Sequence, residues 1–179
     1  MIMYVLILFG AVFRVISHMG GFSVFPPNFA PIGAMALFGG YALPGRQGFF
    51  IPMLALLVSD AVIGFYEPAV MLSVYGSFLA IAILGRILRK AQNGGFTTVS
   101  VPASSLFFFL VTNFAVWAEP HSPYARGLEW LMASYIAGLP FLKYTLAGDL
   151  FFNGVFFGSF ALAKHLLNRS RLAFLTRPL

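Results

Sequence analysis

The chain has 179 residues, of which 60% are apolar and 9% charged, with no cysteine and a net charge of +6. Too few polar residues are present to cover a conventional soluble domain, so the composition predicts an integral membrane protein. Disulfides, thiolate zinc sites and cysteine nucleophiles are excluded. A nucleic-acid partner is not indicated, because the basic residues flank the apolar segments, where membrane topology accounts for them.

Six apolar segments follow one another along the chain, separated by Gly/Pro-rich or polar connections. The first lacks a basic region and a small-residue cleavage site, so we expect a retained helix and not a signal peptide. The pattern predicts an all-α fold with a single transmembrane domain, 1–179, built as a compact bundle of six short helices. The predicted spans are 2–17, 30–43, 48–65, 69–88, 101–118 and 144–167, with an interfacial helix at 128–139.

The basic residues indicate how these spans are oriented. With a cytoplasmic N-terminus, the inner side receives Arg46, Arg86, Arg89, Lys90, Lys164, Arg169, Arg171 and Arg177. The outer side receives only Arg14, Arg126 and Lys143. Because basic residues accumulate on the cytoplasmic side, we predict a multi-pass protein of the bacterial inner (plasma) membrane with both termini cytoplasmic.

This topology places all acidic residues on the outer half: Asp60, Glu67, Glu119, Glu129 and Asp149. Asp60 lies well inside the third span, where a carboxylate is costly unless it faces a cavity or a partner. It is predicted to bind a ligand or ion, or to pair with Arg14 of the first span. The two interpretations are compatible.

Helical spacing identifies four further candidates for a ligand site. Asn113 and Trp117 share one helix face, and Asp149 and Asn153 share another. We predict that these four residues and Asp60 line one outward-facing pocket, with the first Pro/Gly-rich connection as a lid. The alternative is that such polar groups only form hydrogen bonds between helices.

Small residues recur four positions apart on the second and fourth spans, for example Ala36 with Gly40 and Gly76 with Ala80. Such residues allow close approach of helix backbones. They indicate tight packing within the bundle or, alternatively, a docking face for a partner helix.

Metal binding and catalysis have little support in the sequence. His18 and His121 lie near outer loops and could join Glu67, Glu119 or Asp60 around a metal ion, but their spacing matches no metal motif. We therefore predict no metal site and no cofactor. Signatures of serine hydrolases, zinc proteases and P-loop ATPases are missing, so the chain is predicted not to be an enzyme.

Two stretches carry a family resemblance: Asn28-Phe-Ala-Pro-Ile-Gly-Ala-Met-Ala-Leu-Phe-Gly-Gly-Tyr41 and Ser59-Asp60-Ala-Val-Ile-Gly64. They resemble the small six-helix substrate-binding (S) components of energy-coupling-factor (ECF) vitamin importers. They resemble more closely an uncharacterised bacterial family of S-component-like proteins.

The resemblance implies a ligand pocket that opens outward and binds a water-soluble vitamin or related solute, including cobalamin-like ones. Arg14, His18 and Asn28 join the ligand-binding candidates. An ECF-type energising module is the implied partner, although the first helix lacks the usual Ala-x-x-x-Ala docking motif.

We therefore expect a membrane solute-binding and uptake protein, whose partners are a small-molecule solute and the lipid bilayer. The alternative is a structural or assembly protein of a bacterial envelope complex without transport activity. A membrane enzyme that uses the outer histidines and acids is a third hypothesis. A binder should be stabilised by a small molecule, whereas a scaffold should retain other proteins.

Overall fold

Six helices form the part of the chain that the computed structural model describes, residues 1–20, 25–91 and 94–175. They are α1 (Ile2–His18), α2 (Ile32–Ala42), α3 (Gln47–Ile63), α4 (Pro68–Ala91), α5 (Gly94–Ala118) and α6 (Leu128–Leu175). The predicted all-α class is confirmed for these residues. Of the predicted lid, 19–27, the stretch 21–24 lies outside the described residues.

The helix α2 lies at the centre of the bundle and contacts all five other helices. It has 11 residues, which corresponds to a length of about 16 Å, whereas the hydrocarbon layer of a bilayer is about 30 Å thick. Its first turn packs at Gly33 against Asp149 in the middle of α6. α2 therefore begins in the interior of the bundle and not at its end.

Two glycines allow α2 to pack closely on α4. Gly40 faces the backbone of Ala82, and Gly85 faces the backbone of Leu37, so closely that a methyl group would fit at neither glycine. Gly76, also on α4, has no neighbouring atom near the position of a Cβ. The predicted tight packing within the bundle is confirmed at Gly40, and Gly76 does not take part in it.

Apolar side chains pack on two sides of α2. One cluster joins α1, α2 and α6 and contains Ile7, Met35, Phe38, Phe152 and Phe156. The other joins α2, α3, α4 and α5 and contains Leu37, Leu56, Phe78, Ile81 and Val101. The buried core is thus organised around the central helix.

The five helices around α2 also carry apolar side chains on their outer surfaces. Exposed examples are Val5, Leu54, Leu72, Phe114 and Ile136. Within the described residues, three helices are long and apolar enough to cross a membrane, Pro68–Lys90, Val99–Ala118 and Leu128–Asn168. α1, α2 and α3 are apolar but shorter. An exterior of this kind suits lipid better than water.

The helix α6 differs from its predicted form. In place of an interfacial helix at 128–139 and a span at 144–167, one helix of 48 residues runs over Leu128–Leu175 and contains Pro140. Proline removes a backbone hydrogen bond and usually ends or kinks a helix, so the sequence suggested a break. α5 also begins earlier than predicted, at Gly94.

Contacts with α5 on both sides of Pro140 explain why α6 continues through it. Before the proline, the Tyr135 hydroxyl donates a 3.0 Å hydrogen bond to the carbonyl of Leu110. After it, the Ser105 hydroxyl donates a 2.7 Å hydrogen bond to Asp149. Packing against α5 therefore outweighs the tendency of Pro140 to end or kink the helix.

Candidate functional site: a cavity at one end of the bundle

A cavity of about 520 Å³ lies at the end of the bundle where α1 and α3 end. Its walls are the last turns of α1 and α3, the segment that leads into α2, and the connection from α3 to α4. The lining residues are Arg14, Ser17, His18, Phe25, Pro26, Pro27, Asn28, Phe29, Ala30, Ile32, Asp60, Ile63, Gly64 and Tyr66. The lining thus combines a charged pair, several hydrogen-bonding groups and aromatic rings.

Arg14 and Asp60 form the charged centre of this cavity. Arg14 Nη2 lies 2.6 Å from Asp60 Oδ1, and Nη1 donates a hydrogen bond to the Ser59 hydroxyl. The Tyr75 hydroxyl donates a 2.7 Å hydrogen bond to Asp60 Oδ2. The Asp60 side chain is fully buried, whereas that of Arg14 is 15% exposed. The predicted pairing of Arg14 with Asp60 is confirmed.

Tyr66 lines the cavity and was missed by sequence reasoning. Burial raises the pKa of Tyr66 to about 12, the negative charge of Asp60 acts in the same direction, and Arg14 opposes them. The phenol is therefore neutral at physiological pH and has an O–H donor. Its position just after the helix that carries Asp60 is the sequence signal that could have identified it.

Asn28 is shared by three cavities. It lines the large cavity, a second of about 170 Å³ between α5 and α6, and a third of about 70 Å³ beside the start of α2. Its φ of 67° places the backbone in the left-handed region, which asparagine adopts more readily than most residues. The three cavities therefore meet around this side chain.

Asp149 lies at the N-terminus of α2. Its carboxylate accepts a 2.7 Å hydrogen bond from the Ser105 hydroxyl and another from the backbone N–H of Ala34. The N-cap residue of α2, Pro31, forms no side-chain cap, so a carboxylate from α6 takes over this role. Gly33 lies so close to the carboxylate that any side chain there would displace it. Asp149 thus connects α6 to the start of α2.

The remaining predicted ligand residues lie in other places. Asn113 lines the 170 Å³ cavity together with Asn28. Trp117 Nε1 donates a 3.1 Å hydrogen bond to the carbonyl of Ala125 in the connection between α5 and α6. Asn153 Nδ2 donates to the carbonyl of residue 149 in its own helix, and its buried Oδ1 has no hydrogen-bond partner within the described structure.

The structure therefore divides the residues that were predicted to share one pocket. The large cavity contains Arg14, His18, Asn28 and Asp60. Asn113 lines the 170 Å³ cavity and Asp149 lines the 70 Å³ cavity, and Asn28 lines both. Trp117 and Asn153 line none of these three. Helical spacing shows which residues share a face, but not which neighbouring helix that face meets.

Comparison with protein families identifies the chain at family level. The model described as "Family of unknown function (DUF6580)" matches residues 1–171. The chain belongs to this family. No curated protein and no solved structure matches it. All residues of the 520 Å³ cavity lie within the part that matches DUF6580. An uncharacterised family is in keeping with the prediction, while the likeness to ECF S components stays a prediction.

Proposed function

We propose that this DUF6580 protein is an S-component-like protein of the bacterial plasma membrane, which binds a small water-soluble organic solute and takes part in its uptake. The observation that carries the proposal is the 520 Å³ cavity around the Arg14–Asp60 pair. Small-molecule sites typically have volumes of about 300–1,000 Å³ and contain a few polar groups among apolar ones. A vitamin or a related solute fits this class.

The chemistry of the lining narrows the class of solute. Arg14, whose side chain is 15% exposed, and the neutral Tyr66 phenol offer hydrogen-bond donors. His18 and Asn28 can both donate and accept. Phe29 adds an aromatic surface. Because Asp60 already balances the charge of Arg14, the lining favours a solute with several hydrogen-bonding groups and a planar or aromatic part.

The backbone around Asn28 supports a binding role as well. The segment before α2 is irregular, and α2 itself begins in the interior of the bundle. Within a membrane, irregular backbone is stable only where protein buries it or where it lines a water-filled cavity. Unwound backbone at the ends of short helices also contributes to the solute and ion sites of many transporters. The segment that contains Asn28 lines the 520 Å³ cavity, and it would therefore meet the second condition if water fills that cavity.

The alternative of a structural or assembly protein rested on the small residues of the second and fourth spans and on the lack of a catalytic signature. Gly40 and Gly85 pack α2 against α4 inside the bundle. These two glycines therefore provide no surface on which a partner helix could dock, whereas Gly76 on α4 is exposed and has no neighbouring atom at the position of its Cβ. The uptake hypothesis does not depend on such a surface, and the cavity favours it.

The distribution of charge supports an outward-facing cavity. Arg86 donates to the carbonyl of Gly45, and Arg89 donates to that of Leu43 with a distance of 3.0 Å. The last turns of α4 thus bring Arg86 and Arg89 beside Arg46 at the start of α3, whereas the cavity lies at the other end of α3. Since basic residues favour the cytoplasmic side, we propose six spans, cytoplasmic termini and a cavity that faces outward.

Single cysteines should report this topology, because the natural chain has none. In intact cells, Ala125→Cys should react with a membrane-impermeant maleimide. Arg46→Cys should react only after the membrane is permeabilised. The unsubstituted chain serves as the unlabelled control. The opposite pattern would overturn the proposed orientation.

A bulky residue in the cavity should prevent solute binding. Ser17→Trp fills the cavity from α1, whereas Val5→Trp is a matched control at a lipid-facing position of the same helix. A bound solute should raise the melting temperature of the natural chain by roughly 5–10 °C at about 100 times its Kd. We expect Val5→Trp to retain this increase and Ser17→Trp to lose it.

The measurement is a thermal-unfolding screen of detergent-purified protein against water-soluble vitamins, combined with native mass spectrometry of co-purified molecules. A solute that stabilises both variants equally would show that the cavity is not its site. If the screen finds no stabilising solute and the mass spectra show no bound molecule, the uptake proposal fails.

A further inference from the structure

We propose that Glu67, Glu119 and His121 form a binding site for a divalent first-row metal ion such as Zn²⁺. Each residue provides one ligand atom, and these atoms all lie within 4.8 Å of one another. Glu67 comes from the connection between α3 and α4, whereas the other two come from the connection after α5. Residues distant in the sequence therefore meet at the end of the bundle that contains the cavity.

The buried Glu119 carboxylate has to be balanced by a positive charge in this cluster. The Glu119 side chain is only 7% exposed, and a second carboxylate lies beside it. Among the described residues, no lysine or arginine forms an ion pair with either glutamate; the partner of Glu119 is His121, whose Nδ1 lies 3.0 Å from Glu119 Oε1 and carries a positive charge only when the imidazole is protonated. A buried carboxylate next to a like charge is unfavourable without a compensating cation. A metal ion that binds both carboxylates would supply it.

The donor atoms suit the proposed metal. Zn²⁺ binds imidazole nitrogen and carboxylate oxygen at about 2.0–2.2 Å, so two ligand atoms lie no more than about 4.4 Å apart. Glu67 and His121 are exposed and can rotate to close the remaining difference. The backbone N–H of His121 donates a 2.8 Å hydrogen bond to Glu119 Oε1. Such a hydrogen bond orients a metal-binding carboxylate.

The proposed metal site lies next to the 520 Å³ cavity. Glu67 directly follows Tyr66, which lines the 520 Å³ cavity. A bound ion would therefore connect the wall of the cavity to the segment between α5 and α6. The proposal does not depend on uptake of a solute, and its test uses the metal alone.

Isothermal titration of the detergent-purified full chain with ZnCl₂ tests the site. We expect binding of a single Zn²⁺ and a higher melting temperature. Glu67→Gln and His121→Ala change exposed side chains, so both variants should fold. Each should bind Zn²⁺ at least about tenfold more weakly, the scale on which even outer-shell partners affect metal affinity.

The matched control is His165→Ala, which removes a histidine outside the cluster and outside the cavity. This variant should retain the Zn²⁺ affinity of the natural chain, and MgCl₂ should not replace ZnCl₂. Unchanged Zn²⁺ affinity in Glu67→Gln and His121→Ala would overturn the proposal. An equal loss in His165→Ala would also overturn it, because it would show non-specific binding to histidines.

Discussion

Replacing Gly85 by alanine should prevent stable packing of the bundle, whereas Gly76→Ala on the same helix should not. A methyl group at Gly85 would collide with the backbone at Leu37, and a backbone cannot rotate aside as a side chain can. Overpacking typically costs about 1–3 kcal/mol and occasionally more, and this site lies at the largest interface of the central helix. Thermal unfolding of the detergent-purified protein, followed by size-exclusion chromatography, measures the effect.

Gly76 is the matched control because no atom lies near the position of its Cβ. Alanine there should leave stability unchanged or raise it by about 0.5–1 kcal/mol, since glycine weakens a helix interior. Gly40→Ala approaches the same interface from α2 and should resemble Gly85→Ala. Equal melting temperatures for Gly85→Ala and Gly76→Ala would contradict the close backbone packing of α2 on α4.

A second large loss of stability is expected when the Arg14–Asp60 ion pair is broken. Arg14→Gln leaves the fully buried Asp60 without its cation, and Asp60→Asn leaves the guanidinium without its anion. Breaking a buried pair from one side costs about 3–5 kcal/mol. The double variant removes both charges, so its loss of unfolding free energy should be smaller than the sum of the single losses.

A double-mutant cycle of thermal or denaturant unfolding measures this coupling. Arg14→Gln combined with Glu129→Gln is the matched control, because no ion pair joins these two residues. That cycle should be additive. Additive losses for Arg14 and Asp60 would show that the ion pair does not stabilise the fold.

Several features of the structure follow from local sequence properties. The apolar runs and the Pro/Gly-rich connections predicted α1, α2, α3 and α4 close to their observed bounds. The pairing of Arg14 with Asp60 could also be predicted, because an isolated charge is costly among apolar helices. Both inferences need only the preference of each segment for water or for an apolar environment.

Other features depend on contacts between distant segments. Pro140 suggests a break, yet contacts with α5 on both sides keep α6 continuous. Asp149 and Asn153 share a helix face as predicted, but Asp149 caps α2 and Asn153 donates within its own helix. The identity of the neighbouring segment decided each outcome.

The sequence by itself determined the all-α class, the apolar exterior and the need to neutralise Asp60, because these follow from the transfer of each residue type between water and an apolar phase. The tertiary structure alone decided that α2 is a short central helix and that three cavities meet at Asn28. It also decided that Glu67 meets Glu119 and His121. These outcomes depend on which helix faces pack together, and that depends on side-chain fit across the whole bundle.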